Sequence, residues 1–264
     1  QTSLVGSEMC IRDSNNFDAK NMSIMNSRAT TYMDEIANVC RERISYELGE
    51  NSNNNNMNVP SSSSSSSSSP SVTSTTTTIT TTAKLKVINK VLVDQYGFSG
   101  NSRDYYNYKN VLLDHVLVSK TGMPLTLCVI YSCICRRLDI HVSVTGLPGH
   151  IVLGFDDEIG SSSRRRRRRS FMDVFNGGTI LSVVDCQEIV AGYGVEWNDE
   201  YLTPLPLKST LQRILNNLTN CHAQATTRRN NTNPGPFHPD LMFQQRALGL
   251  IYRHPPEIVS SMLE

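Results

Sequence analysis

The stretch LTLCVIYSCICRRL, at residues 125–138, decides the fold of this chain because it is apolar on almost every side of a helix. A helix that presents apolar side chains around its whole circumference is buried in a protein core. Pro124 stands immediately before the stretch and suits the first helical turn, where its missing N–H costs nothing. The sequence therefore predicts a buried central helix around which the rest of the domain packs.

Two amphipathic helices are predicted before this central helix. Residues 30–48 place apolar side chains at helical spacing with charged residues between them, and residues 83–96 repeat the pattern. Gly97 follows the second segment at the position of a helix C-cap. We expect an N-terminal helix within residues 29–49 that packs against the second helix.

The period of the apolar residues changes after the central helix. Residues 142–144, 151–155 and 170–175 have the apolar runs of strands, and Gly and Pro separate them. Two further helices are predicted at residues 182–190 and 207–218. Helices followed by an antiparallel sheet indicate an α+β domain.

Two segments of low complexity interrupt these elements. Residues 51–82 hold 6 Asn, 12 Ser and 8 Thr. Such side chains bury too little apolar area to offset the entropy of ordering, so residues 50–83 are predicted to be a disordered insertion. A second segment, residues 156–170, ends in an arginine run and is predicted to be a disordered loop because like charges repel each other.

The composition excludes several classes of protein. The chain has 264 residues, 38% of them hydrophobic, and a formal net charge of +1. No run approaches the ~18 apolar residues of a membrane span, so we expect a cytoplasmic protein without membrane contact. The 7 cysteines are an odd number and do not suggest a disulfide framework.

Both ends of the chain need separate treatment. Residues 1–14 resemble translated adapter sequence, so we expect an artefact or a disordered segment and exclude them from the fold. Residues 223–239 are rich in polar residues and proline and are predicted to be a linker. We expect a last helical region over residues 240–264, and we expect the natural protein to continue beyond it.

The segments GLPGH (146–150) and FMDVFNGG (171–178) carry the sharpest candidate site. If the strands at 151–155 and 170–175 pair antiparallel, His150 and Asp173 lie near each other at the same end of the sheet. A histidine held by a carboxylate is the base half of a Cys–His–Asp acyl-transfer site. The spacing alone favours the other interpretation, a structural hydrogen bond that closes the end of a hairpin. The turns around this pair supply the candidate binding residues Gly146, Pro148, Gly149, Asn176, Gly177 and Gly178.

Three segments together resemble a known family. They are GFSGNSRDYYNYKNVLLDHVLVSKTGMPLTLCVIY (97–131), RRLDIHVSVTGLPGHIV (136–152) and FMDVFNGGTIL (171–181). In this order they are similar to the transglutaminase-like SirB family, which also occurs as a module in an F-box protein. The resemblance places this domain at residues 84–222. It implies a transglutaminase-like, papain-like fold with N-terminal helices, a buried central helix and an antiparallel sheet, and a tetratricopeptide-like tail that begins at residue 240.

The same resemblance bears on catalysis. The superfamily places its nucleophilic cysteine at the N-terminus of the central helix, and Pro124 falls on that position here. His150 and Asp173 match the other two catalytic residues. The resemblance therefore implies a catalytically silent domain that acts as a protein-interaction or substrate-recruitment module. The alternative is a cysteine-dependent acyl transferase or hydrolase that uses Cys128, one turn further along the helix, with His150 and Asp173.

Other ligands have less support in the sequence. No cofactor is expected, and no metal site is predicted, because Cys186, Cys221, His222 and His238 lack the paired spacing of zinc ligands. We expect a protein partner of unknown identity. The arginine run could bind nucleic acid only non-specifically, and it consists of Arg164, Arg165, Arg166, Arg167, Arg168 and Arg169.

Overall fold

The computed structural model describes residues 19–49, 79–159 and 166–229. Six helices lie within these ranges: α1 (Ala19–Ile44), α2 (Thr81–Lys90), α3 (Leu113–Ser119), α4 (Pro124–Arg137), α5 (Val183–Gly192) and α6 (Leu207–Arg229). Helices α1 and α2 each continue into one π-helical turn, at Ser45–Gly49 and Val91–Gln95. Short 3-10 turns stand at Tyr108–Asn110 and Asp199–Leu202.

The strands form one main sheet and one small parallel pair. The pair consists of β1 (Ser99–Gly100) and β2 (Thr121–Gly122). The main sheet contains β3 (Val142–Leu147), β4 (His150–Ile159), β5 (Arg166–Asp173) and β6 (Thr179–Leu181), all antiparallel and in sequence order. Helices that precede an antiparallel sheet confirm the predicted α+β class.

Helix α4 is the centre of the main core, as its apolar pattern predicts. Its residues Leu125, Ile130 and Ile134 are almost fully buried. They pack with apolar residues of α1, α2 and one face of the sheet, among them Ile36, Leu85, Leu92, Leu153, Phe155 and Met172. The buried central helix is thereby confirmed, and it fixes the position of the sheet.

The opposite face of the sheet carries a second, smaller core. Val152 and Phe171 alternate with the residues that face α4, because successive side chains of a strand point to opposite faces. They pack against Cys186 and Val190 of α5, with Trp197 at the edge of this cluster. The domain therefore has three layers, with the sheet between α4 and α5.

The prediction of a disordered loop over residues 156–170 is wrong where the structure describes this segment. Strand β4 continues to Ile159 and β5 begins at Arg166, so four of the arginines lie in a strand. Asp156 and Asp157 stand directly opposite Arg169 and Arg168, and opposite charges across a strand pair stabilise the pairing. Residues 160–165, with Arg164 and Arg165, lie outside the described residues.

Several element boundaries also differ from the prediction. Residues 81–83 belong to α2 and not to the insertion, because Thr80 caps the helix and Thr82 hydrogen-bonds to the buried Asp157. Helix α6 continues into the predicted linker as far as Arg229. Cys221, which lies in this helix just before the linker, is buried. Residues 1–18, 50–78 and 230–264 lie outside the described residues, and so does the predicted tetratricopeptide-like tail. None of the helices within the described residues combines the length and apolar character that crossing a membrane requires.

Candidate functional site

His150 and Asp173 meet at one end of the main sheet. His150 is the first residue of β4, directly after a tight turn, and Asp173 is the last residue of β5. Nε2 of His150 lies 2.7 Å from Oδ2 of Asp173, and the two side chains are 12% and 6% exposed. The structure thus brings together the two residues that the sequence predicts to be neighbours.

Asp173 is held from several sides. Its Oδ1 accepts backbone hydrogen bonds from Phe175 and Asn176, each 3.1 Å long, and its Oδ2 accepts one from the Asn176 side chain at 2.7 Å. Burial by itself raises the pKa of Asp173, but the hydrogen bonds from His150 and Asn176 outweigh burial and hold that pKa below its ordinary value. The carboxylate is therefore charged at neutral pH. Since a carboxylate only accepts hydrogen bonds, Nε2 of His150 is the donor.

The turn after β5 is fixed by Asn89 of α2. Its Nδ2 donates to the carbonyl of Gly177 at 2.8 Å, and its Oδ1 accepts from the buried hydroxyl of Tyr131 at 2.8 Å. Gly178 has a φ of 78°, and a Cβ there would lie 2.0 Å from Oδ1 of Asn89. Asn89 was missed in the sequence because a polar residue on an amphipathic helix carries no signal of its own.

The turn before β4 is packed against an aromatic ring. Gly149 has a φ of 73°, and a Cβ at this position would lie 2.5 Å from the ring of Tyr193. Gly146 lies in β3, where a Cβ would approach Leu205 and Arg213 to 3.0 Å. Gly146 and Gly149 therefore have local packing reasons to be glycine, and the role of the predicted binding residues, Pro148 among them, as ligand contacts stays a prediction.

Aromatic side chains surround this end of the sheet, and we call Tyr105, Tyr106, Phe175 and Tyr193 the aromatic rim. The ring of Tyr105 lies 5.2 Å from that of Tyr106 and 6.0 Å from that of Phe175, centroid to centroid. Burial, followed by the nearby hydroxyls of Tyr106 and Tyr193, raises the pKa of Tyr105. Tyr106 and Tyr193 are 42% and 59% exposed, so the rim is open to solvent.

Cys128, the candidate nucleophile of the enzymatic alternative, lies in the main core. It has no exposed surface. Burial, together with the negative charge of Asp173, raises the pKa of its thiol well above the ordinary value. A thiol with a raised pKa is protonated at neutral pH and is a poor nucleophile.

Pro124 occupies the first turn of α4. The helix begins at this residue, with Met123 in extended conformation as the N-cap. Both residues are buried. Proline brings neither a nucleophilic atom nor an N–H to the start of the helix.

Within residues 19–49, 79–159 and 166–229, no group of three or more His, Cys, Asp or Glu side chains is arranged to hold a metal ion. The chemical groups described at the His150 end of the sheet are an imidazole, a carboxylate and aromatic rings.

Comparison with known proteins assigns this arrangement to a family. The sequence profile of the transglutaminase-like superfamily matches residues 28–216. The chain belongs to the transglutaminase-like superfamily. This confirms the resemblance that the motifs of the central helix, the GLPGH turn and the FMDVFNGG segment predict.

Relatives of this superfamily member occur in animals and bacteria. F-box only protein 21 of Homo sapiens is 30% identical over 140 residues, which are 51% of this chain and 21% of that protein. A UPF0162 protein of Xylella fastidiosa strain 9a5c is 34% identical over 148 residues, which are 53% of this chain and 49% of the relative. The match therefore spans about a fifth of the animal relative and about half of the bacterial one. No solved structure matches the chain at a significant level.

Proposed function

We propose that this chain is a catalytically silent transglutaminase-like domain that acts as a protein-interaction or substrate-recruitment module. The observation that carries the proposal is the burial of Cys128 in the main core, while Pro124 stands at the helix start. Acyl transfer by a cysteine requires an accessible thiolate within hydrogen-bond reach of the imidazole. A protonated, inaccessible thiol does not meet this requirement.

The aromatic rim supports a role in protein binding. Tyrosine and other aromatic residues are enriched where proteins contact each other, because they combine a large apolar area with polar edges. Tyr106 and Tyr193 expose such rings in the aromatic rim without an apolar cover among the described residues. The shared region is a different fraction of the animal and the bacterial relatives, 21% and 49%, which fits a module that is combined with different surroundings.

Alkylation with iodoacetamide tests the absence of catalysis. Cys128 is expected to react more slowly than Cys133, which is on the same helix and partly exposed, when each modified site is quantified by mass spectrometry. His150→Ala is expected to leave the rate at Cys128 unchanged, because no imidazole activates a buried thiol. Circular dichroism of the variant must show that it is folded.

The enzymatic alternative retains one favourable observation, the hydrogen bond of 2.7 Å between His150 and a charged Asp173. If Cys128 is the nucleophile, its alkylation near neutral pH is fast and falls in His150→Ala. Hydrolysis of amide or ester substrates must then disappear in a folded Cys128→Ser variant. These two results together would overturn the proposal.

Site-specific photo-crosslinking tests recruitment through the aromatic rim. A photoreactive phenylalanine is placed at Tyr106 or Tyr193, and a control is placed at Tyr46, which is exposed to a similar extent at 61% but lies beyond α1. We expect one protein to crosslink at both rim positions and not at Tyr46. Equal crosslinking of the same proteins at all three positions would contradict a specific surface.

A further inference from the structure

A concave site lies at the end of the main sheet that is far from His150. It is a cavity of about 400 Å³ where α2 begins and β3, β4 and β5 come together. Its wall includes Gly154 and Asp156 of β4. At ~3.3 Å per residue, Asp156 is about 20 Å along the strand from His150. The cavity is therefore separate from the candidate site and from the aromatic rim.

One arginine in the cavity wall is held in a defined orientation. Nη2 of Arg169 donates to Oγ of Ser143 at 2.8 Å, and Nη1 lies 3.4 Å from Oδ1 of Asp156. The guanidinium also lies 5.6 Å above the ring centroid of Phe171. Gly154 makes room for it, because a Cβ there would lie 2.5 Å from Nη2. An arginine on an open surface is not held by such a combination of contacts.

The remaining wall adds positive charge and hydroxyl groups. Lys84 and Arg167 also line the cavity. Thr80 and Thr81, at the start of α2, contribute hydroxyl groups. Two carboxylates also line it, Asp139 and the Asp156 that Arg169 engages. Cations therefore outnumber carboxylates by three to two among the wall's Lys, Arg and Asp residues.

We propose that this cavity binds the phosphate group of a phosphomonoester. An oriented guanidinium can bind two phosphate oxygens at once, an ammonium neutralises the remaining charge, and hydroxyls donate to the third oxygen. Cavities of roughly 300–1,000 Å³ accommodate small-molecule ligands, so this cavity has room for more than a bare phosphate. The phosphate belongs either to a phosphorylated peptide side chain or to a small phosphorylated molecule.

Titration with inorganic phosphate, followed by nuclear magnetic resonance of the whole chain, tests the proposal. Sodium chloride holds the ionic strength constant. We expect saturable shifts of the backbone signals of Lys84 and Gly154. Arg169→Gln is expected to weaken the binding at least about tenfold, because it removes a charge-assisted hydrogen bond to the phosphate. Arg168→Gln is the matched control, because the Arg168 side chain points to the face of β5 opposite to that of Arg169 and does not line the cavity.

Arg168→Gln is expected to bind phosphate within about twofold of the unaltered chain. Equal losses in the two arginine variants would mean diffuse attraction by the arginine run and would overturn the proposal, as would the absence of saturable shifts. Gly154→Ala gives a second test, because it displaces Arg169 without changing the charge. It must weaken binding while circular dichroism remains native. If Gly154→Ala does not fold, the comparison of the two arginine variants decides.

A further titration distinguishes the two sources of the phosphate. One arm uses a peptide with a single phosphoserine and its unphosphorylated counterpart, and the other uses glycerol 2-phosphate. If the phosphopeptide binds more tightly than inorganic phosphate and its unphosphorylated counterpart does not bind, the site is assigned to a phosphorylated protein. Tighter binding of glycerol 2-phosphate alone assigns it to a small molecule. If neither binds better than inorganic phosphate, the site does not recognise phosphomonoesters and the proposal fails.

Discussion

Asp173 is the residue on which the candidate site depends. Its carboxylate accepts hydrogen bonds from His150, from Asn176 and from the backbone of the turn that follows β5. One carboxylate thus accepts four hydrogen bonds. Loss of its charge therefore affects both the position of the imidazole and the conformation of the turn.

The pH dependence of stability follows from the lowered pKa of Asp173. In the folded chain the carboxyl binds a proton less readily than at its ordinary value of 3.8, so the charged form stabilises the fold. This contribution is fully present above the unfolded pKa and is lost as the pH falls through the folded pKa. Asp173→Asn is expected to lower the free energy of unfolding by about 1–3 kcal/mol at neutral pH.

Urea denaturation at pH 7 and at about pH 3 measures this effect. The difference between Asp173→Asn and the unaltered chain should narrow at the lower pH, because the carboxyl of the unfolded chain takes up a proton there and the unfolded state becomes relatively more favourable. Asp114→Asn, an acidic residue of α3 outside the hydrogen-bond network of Asp173, serves as the control. A difference that does not change with pH would show that the charge of Asp173 does not contribute.

At the scale of elements, the turn between β5 and β6 depends on α2. Gly177 and Gly178 both have a positive φ, 73° and 78°, but only at Gly178 would an added Cβ meet Asn89. An alanine at Gly177 meets no atom within 4 Å and incurs only the backbone strain of about 1–2 kcal/mol. An alanine at Gly178 must also displace Asn89, which leaves the buried hydroxyl of Tyr131 without its partner.

We therefore expect Gly178→Ala to destabilise the fold by at least about 1 kcal/mol more than Gly177→Ala. Chemical denaturation of both variants measures the difference. Asn89→Ala should be destabilising as well, by about 1–3 kcal/mol, because it removes the same partner of Tyr131. Equal stability of the two glycine variants would show that the Asn89 bridge does not hold the turn.

The elements that depend on a regular apolar pattern could be predicted from the sequence, and the others could not. Helix α4 was predictable because its apolar residues leave no polar face, and the His150–Asp173 proximity followed from two short strands and their turns. The arginine part of β5, from Arg166 to Arg169, was not, because six like charges in a row suggest repulsion until the opposing Asp156 and Asp157 are known. The Asn89 bridge and the aromatic rim depend on tertiary contacts that no local pattern reports.

At the scale of the whole molecule, the two cores share their strands. Leu153 and Met172 face α4, whereas Val152 and Phe171, on the same two strands, face α5. If β4 or β5 detaches from one core, the apolar residues of the other core become exposed as well. The described layers are therefore expected to unfold as one cooperative unit.

The single tryptophan of the chain, Trp197, makes this expectation measurable. It packs at the edge of the α5 core, so its fluorescence reports that layer, whereas far-ultraviolet circular dichroism reports mainly the helices of the α4 side. Both signals should give the same midpoint in urea. Ile130→Ala, in the α4 core, is expected to lower both midpoints together through a loss of about 2–5 kcal/mol. A fluorescence transition at lower urea would show that the α5 layer unfolds separately.

Pro124, at the start of α4, is also a position at which a thiol can be introduced by design. The first helical position donates no hydrogen bond inside the helix, so Pro124→Cys removes none. By the superfamily motif this substitution restores a thiol at the end of the helix where the dipole favours a thiolate. Because His150 and Asp173 already form a hydrogen-bonded pair, the Pro124→Cys variant would test whether one added thiol is sufficient for an acyl-enzyme to form.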